Sequence, residues 1–377
     1  MMLYMLTALA GPPASGNLNC TTSPPPVTSI LSSFAAASRP DVAAKYFKRA
    51  LELDPLSAVI NSAAGTNMHM LGRFEEAFAH NNKAIIDVAI PASYWGNAIM
   101  YWSVYGDVLK AATLMYQIRR LDPRSPQYTA FLSMAYLDLD DFETAATLAA
   151  RAIELGPDDF LANYAALLVA CYRHDHAEAV RIVRHVRKAH PVGDLYGNTA
   201  SILHALAMCG IDDAVLGTRL EFYREAFPGL LTEDHPSVDR VNYRAAIDLA
   251  GILIERGEAR RGTALLDSAA AFLDELPRLG WFGYGIVDAE ILSLRGQTDK
   301  AIASIRTAVD DGWRLRWWTL TRNPNLAAIG NAPEIESIME EIGRDMQGQL
   351  EKLRFQIVND PLIQPDQGNE LYRAGRP

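Results

Sequence analysis

The sequence predicts an all-α protein built as a solenoid of helical hairpins, and three observations carry that prediction. Ala43, Ala77, Ala111, Ala145 and Ala179 stand 34 residues apart, five in a row. Pro123, Pro157 and Pro191 keep the same step in fixed phase, with Pro55 two steps before Pro123. Gly72, Gly106, Asp140 and His174 keep the step again, three of them residues suited to a turn. Alanine is abundant here, so one ladder is modest evidence; a second ladder of an unrelated residue in phase with it makes coincidence improbable. At 377 residues, length would suggest two or three globular domains, but a solenoid grows by adding units and needs no single large core. Hydrophobic residues at 49% and charged residues at 21% suit a folded chain and exclude a disordered one.

The elements follow in order. Residues 1–40 form an irregular lead-in rich in Gly, Pro, Ser and Thr, with one short helix expected around Val27, Ile30, Leu31 and Phe34. The run KYFKRALELDP, residues 45–55, reads as the second helix of a partial first repeat, ended by a proline that cannot continue it. Trp95, Ala98, Ile99 and Trp102, followed by Ala111, Met115, Ile118 and Pro123, match the helix-pair pattern of the tetratricopeptide family, whose period is also 34 residues. The chain therefore resembles that family. The resemblance implies a right-handed α-solenoid of helix-turn-helix repeats closed by a C-terminal capping helix. Gly72, Gly106, Asp140 and His174 hold the turn between the two helices of successive units.

A regular array is expected over 41–193, degenerate and longer repeats over 194–320, a capping helix over 321–354 and a mobile tail over 355–377. After Pro191 the phase slips, and residues 227–238 read as a longer connection. Residues 242–273 and 284–312 read as two longer hairpins turning at Gly257 and Gly296. Ile335, Ile338, Met339, Ile342, Met346, Leu350 and Leu353 make one amphipathic helix, with Asn331 and Glu334 expected as its capping box.

Chemistry is sparse. No phosphate-loop, HExxH, GxSxG or GxGxxG pattern occurs, so no enzyme and no cofactor are expected. A net charge of −10 without a basic run opposes nucleic-acid binding. Cys20, Cys171 and Cys209 lie far apart, so neither a disulfide nor a cysteine-rich metal site is expected, and a reducing compartment fits. The leading MMLYMLTALAG is apolar but lacks a positive flank, and Asn17-Leu18-Asn19-Cys20 is a poor lipoprotein site; the expectation is a cytoplasmic protein without a membrane span. Cys171, His174 and His176 are the best metal candidates and His235 a more distant catalytic one, but hydrated turn residues explain the histidines better. Asp138, Asp140 and Asp141, and Asp212 with Asp213, are read as solvated turn acids rather than an acid-base pair. Trp313, Trp317 and Trp318 are expected to seal the last hairpin against the capping helix.

The family resemblance implies a concave groove lined by the first helix of each repeat. Laid onto this chain, it supplies Val59, Ser62, Thr66 and His69; Ser93, Gly96, Met100 and Ser103; Gln127, Ala130, Met134 and Leu137; and Leu161, Tyr164, Leu168 and Cys171. With Asn97, Phe131, Asn198 and Ile202 added, the partner-binding candidates are Thr66, His69, Asn97, Met100, Gln127, Phe131, Met134, Tyr164, Leu168, Asn198 and Ile202. The groove lacks the Lys and Arg with which family members hold a terminal carboxylate. It suits an apolar or helical segment of a protein or peptide partner, because methionine adapts to varied shapes. The competing expectation, equally weighted, is a groove filled by the protein's own termini or by another copy in a homo-oligomer. Residues 289–329 resemble the C-terminal part of bacterial signalling proteins in which such an array follows a nucleotide-cyclase or winged-helix domain. That resemblance implies a regulatory module without its effector, since the stretch before the first repeat is too short for one.

Overall fold

The computed structural model describes residues 40–87, 91–190, 198–210, 213–232, 236–276, 285–360 and 363. Among them every regular element is helical. The chain divides into two compact units, residues 1–100 and 101–377.

The first unit holds α1 (Pro40–Leu53), α2 (Ala58–Met70), α3 (Phe74–Asp87) and most of α4 (Pro91–Ser103). The second begins at the end of α4. It continues through α5 (Val108–Leu121), α6 (Pro126–Asp138), α7 (Phe142–Leu155), α8 (Phe160–Tyr172), α9 (His176–Ala189), α10 (Asn198–Ala207), α11 (Asp213–Ala226) and the short α12 (Pro228–Thr232). Then come α13 (Tyr243–Glu255), α14 (Ala259–Leu273), α15 (Ile286–Leu294), α16 (Thr298–Asp310), two 3-10 turns at Trp317–Thr319 and Pro324–Leu326, and α17 (Pro333–Asn359).

The repeat is written in the backbone. Helices α1, α3, α5, α7 and α9 begin at 40, 74, 108, 142 and 176, each 34 residues after the last. Ala43, Ala77, Ala111, Ala145 and Ala179 are fully buried on them, which lets paired helices approach closely. At each intra-repeat turn one residue takes the left-handed conformation: Gly72, Gly106, Asp140 and His174, with φ of 73°, 63°, 60° and 58°. Glycine adopts it freely and Asp tolerates it. An Asp follows in the later units, where Asp107, Asp141 and Asp175 accept a hydrogen bond from the amide three residues on and cap α5, α7 and α9. Ser57, Ser125 and Asp159 do the same for α2, α6 and α8.

Departures from expectation concentrate near the C terminus. The long stretch at 227–238 contains the helix α12, while residues 233–235, including His235, lie outside the described part, as does the lead-in helix. α17 begins at Pro333 with Ala332 as its cap and no side-chain cap bond, so Asn331 and Glu334 form no capping box. Proline at the first helical position sets the start instead. The helix runs to Asn359, past the expected tail boundary at 355, because Leu353 and Ile357 extend its buried stripe; Pro361 disfavours helix at Asp360. The cysteines also differ from expectation. Cys171, at the end of α8, and Cys209, just after α10, form a disulfide across 38 residues. Position 205 is one repeat after 171, so two stacked first helices bring residue 209, one turn further, alongside.

Candidate functional site

The hairpin faces assigned to a groove are largely buried. Met100 and Phe131 have no exposure, and Thr66, His69, Asn97, Met134, Tyr164, Leu168 and Ile202 are also buried. Gln127 is half-buried and donates to Asp159 Oδ2 at 3.3 Å; the side chain of Asn198 lies outside the described residues. In the first unit Asn97 joins two helices, accepting from Asn81 Nδ2 and donating to Asn82 Oδ1, both at 2.9 Å. Thr66 Oγ1 donates back to the Ser62 carbonyl. His69 packs edge-on against Phe74, and burial lowers its pKa to about 4, so it is neutral at physiological pH.

In the second unit a later segment of the same chain lies against the ends of the first helices. Residues 312–326, between α16 and α17, contact the ends of the first helices one after another. A side chain on Gly106 would meet the Gly312 carbonyl at 2.4 Å, so a glycine there is required by close approach as well as by its φ. Asp138, the last residue of α6, is fully buried. Its Oδ2 accepts from Trp102 Nε1 at 2.7 Å and from the Arg316 amide at 3.0 Å, and its Oδ1 from Trp318 Nε1 at 3.1 Å. Its main-chain carbonyl accepts from Trp317 Nε1 at 2.8 Å. Arg316 is held at φ 55°, a costly conformation for a residue other than glycine, and its guanidinium donates to the Tyr164 hydroxyl. Arg322 donates to the carbonyls of Cys171 and Tyr172 at 2.9 and 3.0 Å and lies over the Trp318 and Tyr172 rings.

Burial pushes the Asp138 carboxyl up to about 7, the Trp102, Trp318 and Arg316 N–H donors only partly opposing it. The reading of Asp138 as a solvated acid is therefore overturned, although its neighbours behave as turn residues. Asp140 accepts from the Tyr172 hydroxyl, and Asp141 caps α7 and pairs with Arg354 at 2.8 Å. Trp317 also faces α17, where a side chain on Gly343 would touch its ring at 3.5 Å. Trp317 thus reaches the capping helix, and with Trp318 it anchors the segment on α6.

Further along, Asn325 Nδ2 donates to both Asp248 Oδ1 and Glu290 Oε2, each at 2.9 Å. Around Asp248 stand His204 Nδ1 at 3.2 Å, the Tyr223 hydroxyl at 2.6 Å and Arg219 Nη2 at 3.5 Å. Arg244 Nη1 lies 3.3 Å from His204 Nε2 and 3.7 Å from Glu290 Oε1. Burial works against the charge on Asp248, but His204, Arg219 and the Tyr223 hydroxyl outweigh it and hold the carboxyl well below the usual range.

His204, Asp248 and Glu290 bring three potential metal-ligand atoms within 4.8 Å of one another. Two arginines neutralise the two carboxylates and stand where a cation would be repelled, so the group reads as a structural network. Sequence reasoning missed it because its members sit on α10, α13 and α15 with no shared motif. At the sequence-predicted metal group, Cys171 is in a disulfide and offers no thiolate, while His174 is the left-handed turn residue.

The described residues thus form helical hairpins that repeat every 34 residues, the period of tetratricopeptide arrays. No family profile matches the chain, and no curated protein matches it. Its structure is similar to a tetratricopeptide repeat protein from Parabacteroides merdae, with 15% identity over 71% of this chain and 96% of that one and a TM-score of 0.46. It is also similar to yeast Tom70, with 15% identity over 96% of this chain and 71% of that one and a TM-score of 0.45. The P58(IPK) TPR domain aligns at 14% identity over 86% and 98% with a TM-score of 0.24. No described helix is long and apolar enough to cross a membrane.

Proposed function

We propose that this protein is a non-enzymatic scaffold whose first-helix face receives an apolar, aromatic-bearing segment of a protein partner, and that in the second unit its own residues 312–326 hold that place until a partner displaces them. One observation carries the reading. The face that takes Trp317, Trp318 and Arg316 does so through a buried acceptor, Asp138, and through Tyr164, one of the expected groove residues, so a segment is held here by indole bonds and apolar burial together. The occupant shows the chemistry a competitor needs: indole N–H groups for the acid and apolar bulk for the rest.

The test uses a fluorescent peptide spanning residues 311–327 against the full chain and against its Trp317→Ala, Trp318→Ala double variant. Saturable one-to-one binding to the variant is expected, with wild type at least about tenfold weaker because its own segment competes as an effectively concentrated ligand. Absence of saturable binding to a variant that still melts cooperatively overturns the reading. Equal binding by a scrambled peptide does the same.

A further inference from the structure

A second recess lies apart from the groove face, between α11, α12 and the turn joining α13 to α14. It encloses about 340 Å³, within the range of about 300–1,000 Å³ common to small-molecule sites. Its floor is apolar: Leu220, Ile252 and Leu253 are buried, and Leu231 is half-buried. Its rim is cationic. Arg224 and Arg256 line it, and their guanidiniums make no hydrogen bond or ion pair with any described residue. The third arginine, Arg261, is already engaged by Glu258 at 2.5 Å and by the Leu231 carbonyl. Three guanidiniums against one carboxylate leave a positive recess on a chain whose net charge is −10.

An apolar floor below two unengaged guanidiniums matches one chemical class. We infer that this recess binds a small carboxylate with an aliphatic body, the carboxylate held by Arg224 and Arg256 and the chain lying on Leu220, Leu231, Ile252 and Leu253. A guanidinium presents paired N–H groups to a carboxylate, and a hydrocarbon body gains by leaving water. The inference is independent of the groove reading, since the two share no residue.

Octanoate is the probe, titrated calorimetrically into the full chain, with 1-octanol as the uncharged partner of equal length. Octanoate is expected to saturate at one site, octanol at least about tenfold weaker, and the Arg224→Gln, Arg256→Gln double variant weaker for octanoate by a similar factor with an unchanged melting midpoint. Both arginines are exposed, so the double variant is expected to fold as wild type does. A second variant, Leu253→Gln, reads the floor and is expected to weaken octanoate and octanol alike. No saturable octanoate binding at millimolar concentration overturns the proposal. So does equal binding of octanol and octanoate together with indifference to the arginine substitutions.

Discussion

Around Asp138 every donor is a neutral N–H group, from Trp102, Trp318 and the Arg316 backbone; around Asp248 stand a histidine, a guanidinium, a phenol and an amide. Both acids are buried, and both hold the segment that runs between α16 and α17, one through its tryptophans and the other through Asn325. Their environments drive them apart. At Asp138 burial outweighs three N–H donors and the charge of Arg316 and lifts the carboxyl to about 7; with partners that favour the anion more strongly, Asp248 stays ionised at any physiological pH. One end of the segment is therefore tethered by a group that titrates near neutrality, and the other by a locked ionic network.

The comparison breaks most severely at Asp248. Asp248→Ala leaves Arg219 and the His204–Arg244 pair without the anion they surround, and is expected to cost about 3–5 kcal/mol in urea unfolding. A loss under about 1 kcal/mol would mean that the network holds little.

The next effect is in pH. Asp138 has a folded pKa above its unfolded value of 3.8, so its contribution is fully present below about pH 4 and is lost as pH rises through about 7. Asp138→Asn does not titrate. The unfolding free energy of wild type minus that of Asp138→Asn should fall by on the order of 3 kcal/mol between pH 4 and 8. For Asp248, whose folded pKa is depressed, the corresponding difference against Asp248→Asn has the opposite sign: it is present above about pH 4 and lost as pH falls. A flat Asp138 profile would make the two acids alike and remove the contrast.

Least affected is the rim of the same segment's environment. Arg354 pairs with Asp141 at 2.8 Å, but its side chain is 61% exposed. Arg354→Ala should cost at most about 0.5 kcal/mol, measured by thermal melting in low salt.

Much of the fold was legible in the residues themselves. The alanine ladder and the turn residues at 72, 106, 140 and 174 mark where helices start and where the backbone turns left-handed, because packing distance and φ are properties of a few neighbouring residues. The groove positions were legible only as positions. Asn97 looks available for a partner until Asn81 and Asn82 are seen to engage it, and Tyr164 until Arg316 does. Asp138 was misread because Asp140 and Asp141 beside it are true turn residues, and nothing near it in sequence announces the indoles of Trp317 and Trp318 nearly 180 residues away. The pairing of Cys171 with Cys209 was hidden for a related reason: it follows from the stacking of neighbouring units, while the spacing of the cysteines matches no familiar motif.

By itself the sequence determined the hairpins and their period, since each depends on helix geometry and on bonds that span three or four residues. Only the tertiary structure decided which polar groups lose their water and what they meet in exchange. Burial and charge compensation are sums over everything that surrounds a group, and here those surroundings come from helices far apart in the chain.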